Sequence, residues 1–167
     1  DGRKHLMYSG ERYDVIISQP SYPWMAGAGR LFTRELFAAL EASLSPRGVA
    51  TIWIPKAVPL TQPAVLRAFV DVFGSRVHLF TPDRRFPMVF AVGFAPGSTL
   101  DPGAIAAQLE YPRVRRAAAA VGIRRPEDLL RLELPLPELG PRANTDDNGL
   151  VELSTFPALM NRRLEQP

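Results

Sequence analysis

The sequence predicts an α/β fold: the C-terminal half of a doubly wound sheet, mostly parallel with a terminal antiparallel hairpin, followed by a helical C-terminal extension. Three observations lead to this prediction. The apolar, β-branched run Val15–Ile17 is typical of a strand that is buried on both faces of a parallel sheet. Strand and helix patterns alternate after that run. Residues 76–80 and 88–94 then have the pattern of two strands that pair back on each other.

Each element before residue 96 has its own local signal. The first strand must end before Pro20, because proline cannot donate a hydrogen bond to a sheet. The helix that follows has apolar residues at three- and four-residue steps, and Thr33 is placed to cap it. The expected elements are a helical turn at 3–8, a strand at 13–18, a helix from 31 or 33, a turn at 45–48, a strand at 49–54, a helix at 61–73, and strands at 76–80 and 88–94.

The character of the chain changes at Pro96. We expect helices at 102–109, 113–121 and 127–132, a polar turn at 144–149, a short strand at 151–153 and a last helix at 156–163. The predicted organisation is therefore a partial doubly wound domain over residues 1–95, with a helical extension and tail over 96–167 packed on it.

The composition excludes several classes of function. The chain contains no cysteine, which excludes disulfides, thiolate catalysis and cysteine-bound metals. Eighteen of its twenty basic residues are arginine, but the net charge is only +3 and no recognition motif accompanies them. The arginines are therefore interpreted as a solvated face, and no nucleic acid partner is expected. Without a secretory signal or a long apolar run, the expected location is cytoplasmic, and a membrane portion in a longer parent chain stays open.

The residues just after the first strand are the first candidates for a functional site. Ligands of open α/β sheets bind past the carboxyl ends of the strands. Gln19, Ser21, Tyr22 and Trp24 occupy that position. The alternative interpretation is an ordinary turn closed by an aromatic plug, with Trp24 packed against the helix at 33–44.

The order of short motifs along nearly the whole chain resembles that of the spermidine-synthase-like proteins, the polyamine aminopropyltransferase family. That family has the Rossmann-like fold of class I S-adenosylmethionine-dependent methyltransferases, and only its C-terminal half is matched here. The matching segments are Asp1-Gly2-Arg3, Tyr13–Ile17, Pro20–Trp24, Leu31–Glu35, Leu44–Val49, and Asn144–Asn148 followed by Glu152.

The resemblance implies a cofactor and the residues that bind it. Asp1 and Gly2 match the pair that contacts the adenine of decarboxylated S-adenosylmethionine or S-adenosylmethionine, and Gln19 is also predicted to bind the cofactor. Such binding is expected only if the segment that precedes Asp1 is present, and no metal is expected. The alternative for Asp1 is an N-cap of the first helical turn.

The chain departs from the family where the catalytic acids belong. Gln19 and Tyr22 replace two aspartates, and a glutamine cannot act as a general base near neutral pH. We therefore predict Gln19 and Tyr22 at the catalytic position, with Ser21 and Trp24 contacting a small amine substrate. The loop that lines the polyamine cleft of the family carries Arg84 and Arg85 here, which would repel a polyamine.

Three functions remain open from the sequence. The first is a spermidine-synthase-like transferase. It would share the fold of that enzyme of polyamine biosynthesis but would not be a true spermidine synthase. The second is an amino-group methyltransferase, for which Gln19–Tyr22 is a loose motif. The third is a non-catalytic interaction domain, because a strand at 13–18 without a neighbour exposes backbone groups and predicts a homodimer or a cut piece of a longer chain.

No metal or hydrolytic site is predicted. His5 and His78 are far apart in the sequence, which argues against a zinc site. Asp146 and Asp147, with Glu152, lack the ligand order of a calcium loop and are better explained as a turn.

Overall fold

A computed structural model describes residues 1–23, 25, 27–55, 61–82 and 88–154. The strands are β1 (Tyr13–Ser18), β2 (Leu44–Pro55), β3 (Val77–Phe80), β4 (Met88–Phe94) and β5 (Glu133–Leu134). The helices are α1 (Gly2–Tyr8), α2 (Arg34–Ala42), α3 (Thr61–Phe73), α4 (Pro102–Leu109), α5 (Pro112–Ala120) and α6 (Pro126–Leu130). Two 3-10 turns lie at Ala28–Phe32 and Gly74–Arg76. The predicted sites at Trp24, Arg84 and Arg85 and the predicted helix at 156–163 lie outside the described residues.

The sheet has the order β1-β2-β4-β3-β5, which corrects the predicted arrangement. Strands β1 and β2 are parallel, as expected, but the β2–β4, β3–β4 and β3–β5 pairings are antiparallel. The hairpin of β3 and β4 is confirmed, but it does not end the sheet. The connection through α3 leaves a gap one strand wide between β2 and β3, and β4 folds back into that gap. The described sheet is therefore mixed, and the prediction of a mostly parallel sheet holds for its first pair alone.

Strand β1 lies at one end of this sheet and is not buried on both faces as predicted. Ile16 packs against the core. Val15 and Ile17, which point to the other side of the strand, are 58% and 73% exposed. The core lies on the side of the strand that Ile16 faces, and Val15 and Ile17 face away from it. An apolar run in the sequence therefore does not establish that both faces of a strand are buried.

Strand β2 begins earlier than predicted, at Leu44, so residues 45–48 belong to a strand and not to a turn. The register shifts from Tyr13 opposite Leu44 to Val15 opposite Val49, which accommodates the extra residues. The guanidinium of Arg12 donates hydrogen bonds to the carbonyls of Ala42 and Leu44, at 2.9 and 3.0 Å, and helps to hold this irregular start.

Helices α2 and α3 cover one face of the sheet and supply the aromatic centre of the core. The hydroxyl of Thr33 accepts from the backbone N–H of Leu36, which confirms the predicted cap of α2. Phe37 and Phe69 meet edge to face at 5.1 Å, and Phe69 stacks on Phe73 at 4.5 Å. All three rings are fully buried, each contributing about 1.5–3 kcal/mol by burial.

The region after residue 95 contributes more than helices. Strand β5 pairs with β3, and Val151 is buried in the core. Residues 150–154 are helical, so the predicted strand at 151–153 is wrong. The backbone N–H of Leu153 donates to the carbonyl of Gly149 at 2.9 Å, a bond of helical spacing. A three-residue alternation of apolar and polar residues fits either structure, and here the helical bonding is preferred.

Candidate functional site

A groove of about 620 Å³ runs along β1 and past its carboxyl end. We call it the β1 groove. Three predicted cofactor residues, Asp1, Gly2 and Gln19, all line it. The strand stops at Ser18 and Pro20 turns the chain away, which leaves Gln19 at the end of the strand. The apolar wall of the β1 groove is formed by Leu6, Val15, Ile17, Leu31, Leu36 and Leu40.

Asp1 acts as the N-cap of α1, in agreement with the alternative interpretation of this residue. Its Oδ1 atom accepts from the backbone N–H groups of Arg3 and Lys4, at 3.0 and 3.3 Å. Helix α1 thereby fixes the carboxylate at the mouth of the groove. Binding of an adenine by the same residue stays a prediction.

Of the other predicted site residues, those that the structure describes lie outside the β1 groove. Ser21 and Tyr22 are both exposed and do not line the β1 groove. The ring of Tyr22 contacts Trp53 of β2 edge to face, with centroids 5.6 Å apart. The aromatic plug of the sequence analysis is thus directed at β2. Trp24 falls outside the described residues.

The β1 groove carries little negative charge. Among the described residues that line it, Asp1 is the one carboxylate, and Arg3 and His5 are the basic groups. The described lining therefore offers a single acidic side chain to a ligand.

Tyr13 lines the β1 groove and belongs to a hydrogen-bonded cluster with His5 and Glu11. Its hydroxyl donates to the carboxylate of Glu11 and contacts the ring of His5. The hydrogen bond to Glu11 raises the pKa of Tyr13, and the same bond, with the neighbouring His5, lowers the pKa of Glu11. The bond to Glu11 thus favours the protonated form of the phenol.

Arg3 connects the groove to the distant tail, a role that the sequence analysis missed. Its guanidinium donates to Thr33 Oγ1 at 3.2 Å and to the carbonyl of Arg30, and it forms an ion pair with Asp146. The side chain is 15% exposed. Arg3 and Asp146 both stand in motifs of the matched order, but nothing in the sequence shows that residues 143 positions apart meet.

Asn144 fastens the tail to the loop that forms one wall of the groove. It is 1% exposed, and its amide donates to the carbonyls of Gly29 and Phe32 at 3.2 and 3.0 Å. Its Oδ1 accepts from the backbone N–H of Val151 at 3.0 Å. The side-chain amide thus donates two hydrogen bonds and accepts one, and these bonds hold the segment that includes Leu31 in place.

Two further contacts strengthen this attachment. Glu152 accepts from the backbone N–H of Gly27 at 2.9 Å, and Glu35 accepts from that of Asp146 at 3.0 Å. A side chain at Gly29 would come within 3.0 Å of Glu152, so a glycine allows the close approach. Asp146 and Glu152, two acidic residues of the tail, are therefore engaged in structural contacts.

Other functional interpretations find no support in the described residues. No group of three or more histidine, aspartate or glutamate residues within them is arranged to hold a metal ion. His78 hydrogen-bonds to Glu133 at 2.7 Å and meets Phe94 edge-on, which agrees with a structural role. None of the described helices has the length and apolar character needed to cross a bilayer.

The described architecture is α/β, with a mixed five-stranded sheet. No family model matches the chain, and no curated protein matches it either. Among solved structures, it is similar to spermidine synthase in complex with the transition-state analogue AdoDATO, with a TM-score of 0.51 and 18% identity. The match covers 82% of this chain and 44% of that one. The chain has a spermidine-synthase-like fold and spans less than half the length of that solved structure.

Proposed function

We propose that this chain is a spermidine-synthase-like transferase module that uses decarboxylated S-adenosylmethionine or S-adenosylmethionine, and that it is not itself a spermidine synthase. One observation carries the proposal: Asp1, Gly2 and Gln19 line a single groove at the carboxyl end of a parallel strand. That is where open α/β sheets bind ligands. The apolar wall of the groove suits the flat face of a nucleoside.

The charge of the groove supports a substrate other than a polyamine. A polycation requires several carboxylates, since each pair of opposite charges at about 4 Å contributes roughly 1–4 kcal/mol in a solvated site. Asp1 is the one carboxylate of the described lining, and the charge of Arg3, in the same lining, is paired with Asp146. We infer that the acceptor is a neutral amine or one with a single charge.

The residues have distinct roles in this proposal. When bound, the sulfonium compound supplies an electrophilic carbon next to a thioether leaving group. The amide NH2 group of Gln19 donates a hydrogen bond to the bound sulfonium compound, and its amide oxygen accepts one from the acceptor amine and orients the lone pair of that amine. The proton that the amine loses passes to water, because Gln19 cannot take it up. Ser21, Tyr22 and Trp24 contribute to the acceptor side, beyond Pro20.

A second candidate is transfer of a methyl group to an amine. The segment Gln19-Pro20-Ser21-Tyr22 combines the amide of Gln19 with the ring of Tyr22, a residue that is 48% exposed. In such chemistry an amide orients the nitrogen and an aromatic ring packs against the acceptor, and no carboxylate base is required. The two candidates differ in the group transferred and share the same groove.

Calorimetric titration with S-adenosylmethionine, decarboxylated S-adenosylmethionine and methylthioadenosine tests the proposal. Because the chain spans 44% of the similar enzyme, we expect weak binding by this chain alone, with Kd about 0.1–1 mM. Gln19→Ala should weaken binding about tenfold, the value of one hydrogen bond to a bound ligand. Gln62→Ala, which removes a glutamine from α3 outside the groove, is the matched control and should bind as the wild type does.

The ligand that binds best separates the candidates. Preference for the decarboxylated compound supports aminopropyl transfer, and preference for S-adenosylmethionine supports methyl transfer. Binding of none of the three, or equal loss in Gln19→Ala and Gln62→Ala, contradicts the proposal.

A further inference from the structure

We propose that helix α5 and the residues at its two ends form a docking surface for an acidic amphipathic helix of a partner protein. This α5 surface consists of Tyr111, Arg113, Val114, Arg115 and Val121. The inference rests on the charge, exposure and spacing of these residues, and it does not depend on the proposed function.

Residues 111–125 concentrate the positive charge of the chain. They include five arginines and no lysine, aspartate or glutamate. The net charge of the whole chain is +3, so removal of these five charges would leave the rest at −2. An acidic partner is therefore steered to this segment in preference to the rest of the chain.

The arginines of α5 lack acidic partners within the part of the chain that the structure describes. Arg125 lies 3.8 Å from Asp128, whereas Arg113, Arg115 and Arg116 are exposed and pair with none of the described carboxylates. Arg113 and Arg116 lie one turn apart, so their like charges repel each other. Carboxylates supplied by a partner would relieve that repulsion.

An apolar stripe runs between the arginines. Tyr111, Val114 and Val121 follow one another at steps of three and seven residues, which places them on one side of the helix. They are 60%, 39% and 73% exposed, respectively. Arg113 and Arg115 adjoin Val114 in the sequence and so lie about 100° to either side of it. Because α5 buries none of its residues, this amphipathic surface stays open.

The stripe has a groove at its first turn. The groove has a volume of about 650 Å³ and is lined by Gln108, Tyr111, Pro112, Arg113 and Val114. It combines a phenol ring and an aliphatic side chain with a guanidinium group. An apolar side chain with a carboxylate beside it therefore suits the groove.

The apolar stripe favours an acidic helix over other polyanions. Guanidinium groups bind carboxylates and phosphates alike, so charge alone does not select the partner. A nucleic acid offers no aliphatic side chains to the stripe. A helix that lies on a membrane has a larger apolar face than one tyrosine and two valines provide. An amphipathic helix with acids beside its apolar positions matches both the stripe and the arginines.

The α5 surface is separate from the β1 groove. Helix α4 packs against both α5 and α6. The chain after α6 enters β5, the strand at the opposite end of the sheet order from β1. No residue of the α5 surface lines the β1 groove, so a partner on α5 leaves that groove free for its ligand.

Fluorescence anisotropy with a designed peptide tests the inference. The probe is a labelled peptide of three heptads with leucine at positions a and d and glutamate at e and g. We expect it to bind the wild type with a Kd of about 10–100 μM at low salt. Arg113→Glu combined with Arg115→Glu should weaken binding at least about tenfold, since each change replaces an attraction by a repulsion. Arg47→Glu combined with Arg142→Glu is the matched control, because both arginines are exposed outside the α5 surface, and it should bind as the wild type does.

Two further measurements separate direct contact from a general effect of charge. The same peptide with lysine in place of glutamate should bind the Arg113→Glu, Arg115→Glu chain more tightly than it binds the wild type. Val121→Ser should weaken binding of the glutamate peptide about fivefold, because it removes apolar contact area. Leu153→Ser is its control, since Leu153 is 71% exposed in the tail, and it should leave binding unchanged. Circular dichroism of each variant checks that it is folded.

Several results would overturn the inference. The first is that the wild type does not bind the glutamate peptide, or binds a glutamine version of it equally well. The second is that the Arg113→Glu, Arg115→Glu chain binds as its control does. The third is that vesicles containing phosphatidylserine, or oligouridine RNA, bind the wild type more tightly than the peptide in the same buffer.

Discussion

Replacement of Asn144 by alanine should destabilise the fold strongly, because the asparagine is buried and holds the tail through its side chain. Three hydrogen bonds depend on this buried side chain, two donated to the carbonyls of Gly29 and Phe32 and one accepted from Val151. Alanine leaves all three backbone groups without that partner, in a site that is 1% exposed at the asparagine.

The magnitude follows from the cost of burying polar groups without a partner. Each such group costs about 1–3 kcal/mol, so loss of the bonds to the carbonyls of Gly29 and Phe32 should cost about 2–5 kcal/mol. Domains have total stabilities of about 5–15 kcal/mol, so the variant should lose a large part of its free energy of unfolding. The midpoint of thermal unfolding should fall by about 10 °C.

Urea unfolding followed by circular dichroism measures this loss. Asn148→Ala is the matched control, because Asn148 is an asparagine of the same tail whose hydrogen bonds are exposed: it accepts from Thr145 and Leu150 and donates to Ala143. Its loss should be under about 1.5 kcal/mol. If Asn144→Ala and Asn148→Ala lose the same stability, the tail is not anchored through Asn144 and our description of the groove wall is wrong.

Three other changes test separate parts of the fold. Gly93→Ala should cost about 1–3 kcal/mol, because the new Cβ would lie 2.5 Å from the buried ring of Phe73, and an unchanged urea midpoint would contradict this packing. Asp128 accepts from two backbone N–H groups ahead of α6, which holds its pKa below the usual value. The stability advantage of the wild type over Asp128→Ala should therefore be present above about pH 4 and disappear as the pH falls through the lowered pKa, and a constant difference from pH 7 to pH 2 would refute it. Arg3→Gln should cost about 1–2 kcal/mol, and less in a chain that already carries Asp146→Asn, whereas additive losses would show that the two side chains do not interact.

The elements with strong local signals could be predicted from the sequence. Strand β1, the Thr33 cap of α2, helix α3 and the hairpin of β3 and β4 all depend on residues close together in the chain. The position of the candidate site at the end of β1 could also be predicted from the sequence. Proline fixes where the strand stops, and the topology fixes where ligands of such sheets bind.

The remaining features depend on contacts between distant residues. The insertion of β4 between β2 and β3 and the pairing of β5 with β3 have no local signal. Val15 faces away from the core that Ile16 contacts, and an apolar run does not reveal which face of a strand stays exposed. The anchoring of the tail by Asn144 joins residues more than a hundred positions apart.

An NMR titration with methylthioadenosine tests the central claim most directly. If the β1 groove binds the adenosyl group, the largest chemical-shift changes should fall on the backbone amides of Gly2, Arg3 and Gln19 at its mouth. The amides of α5, none of which lines the β1 groove, should not change. Shifts concentrated on α5, or none at saturating ligand, would contradict the assignment of this groove.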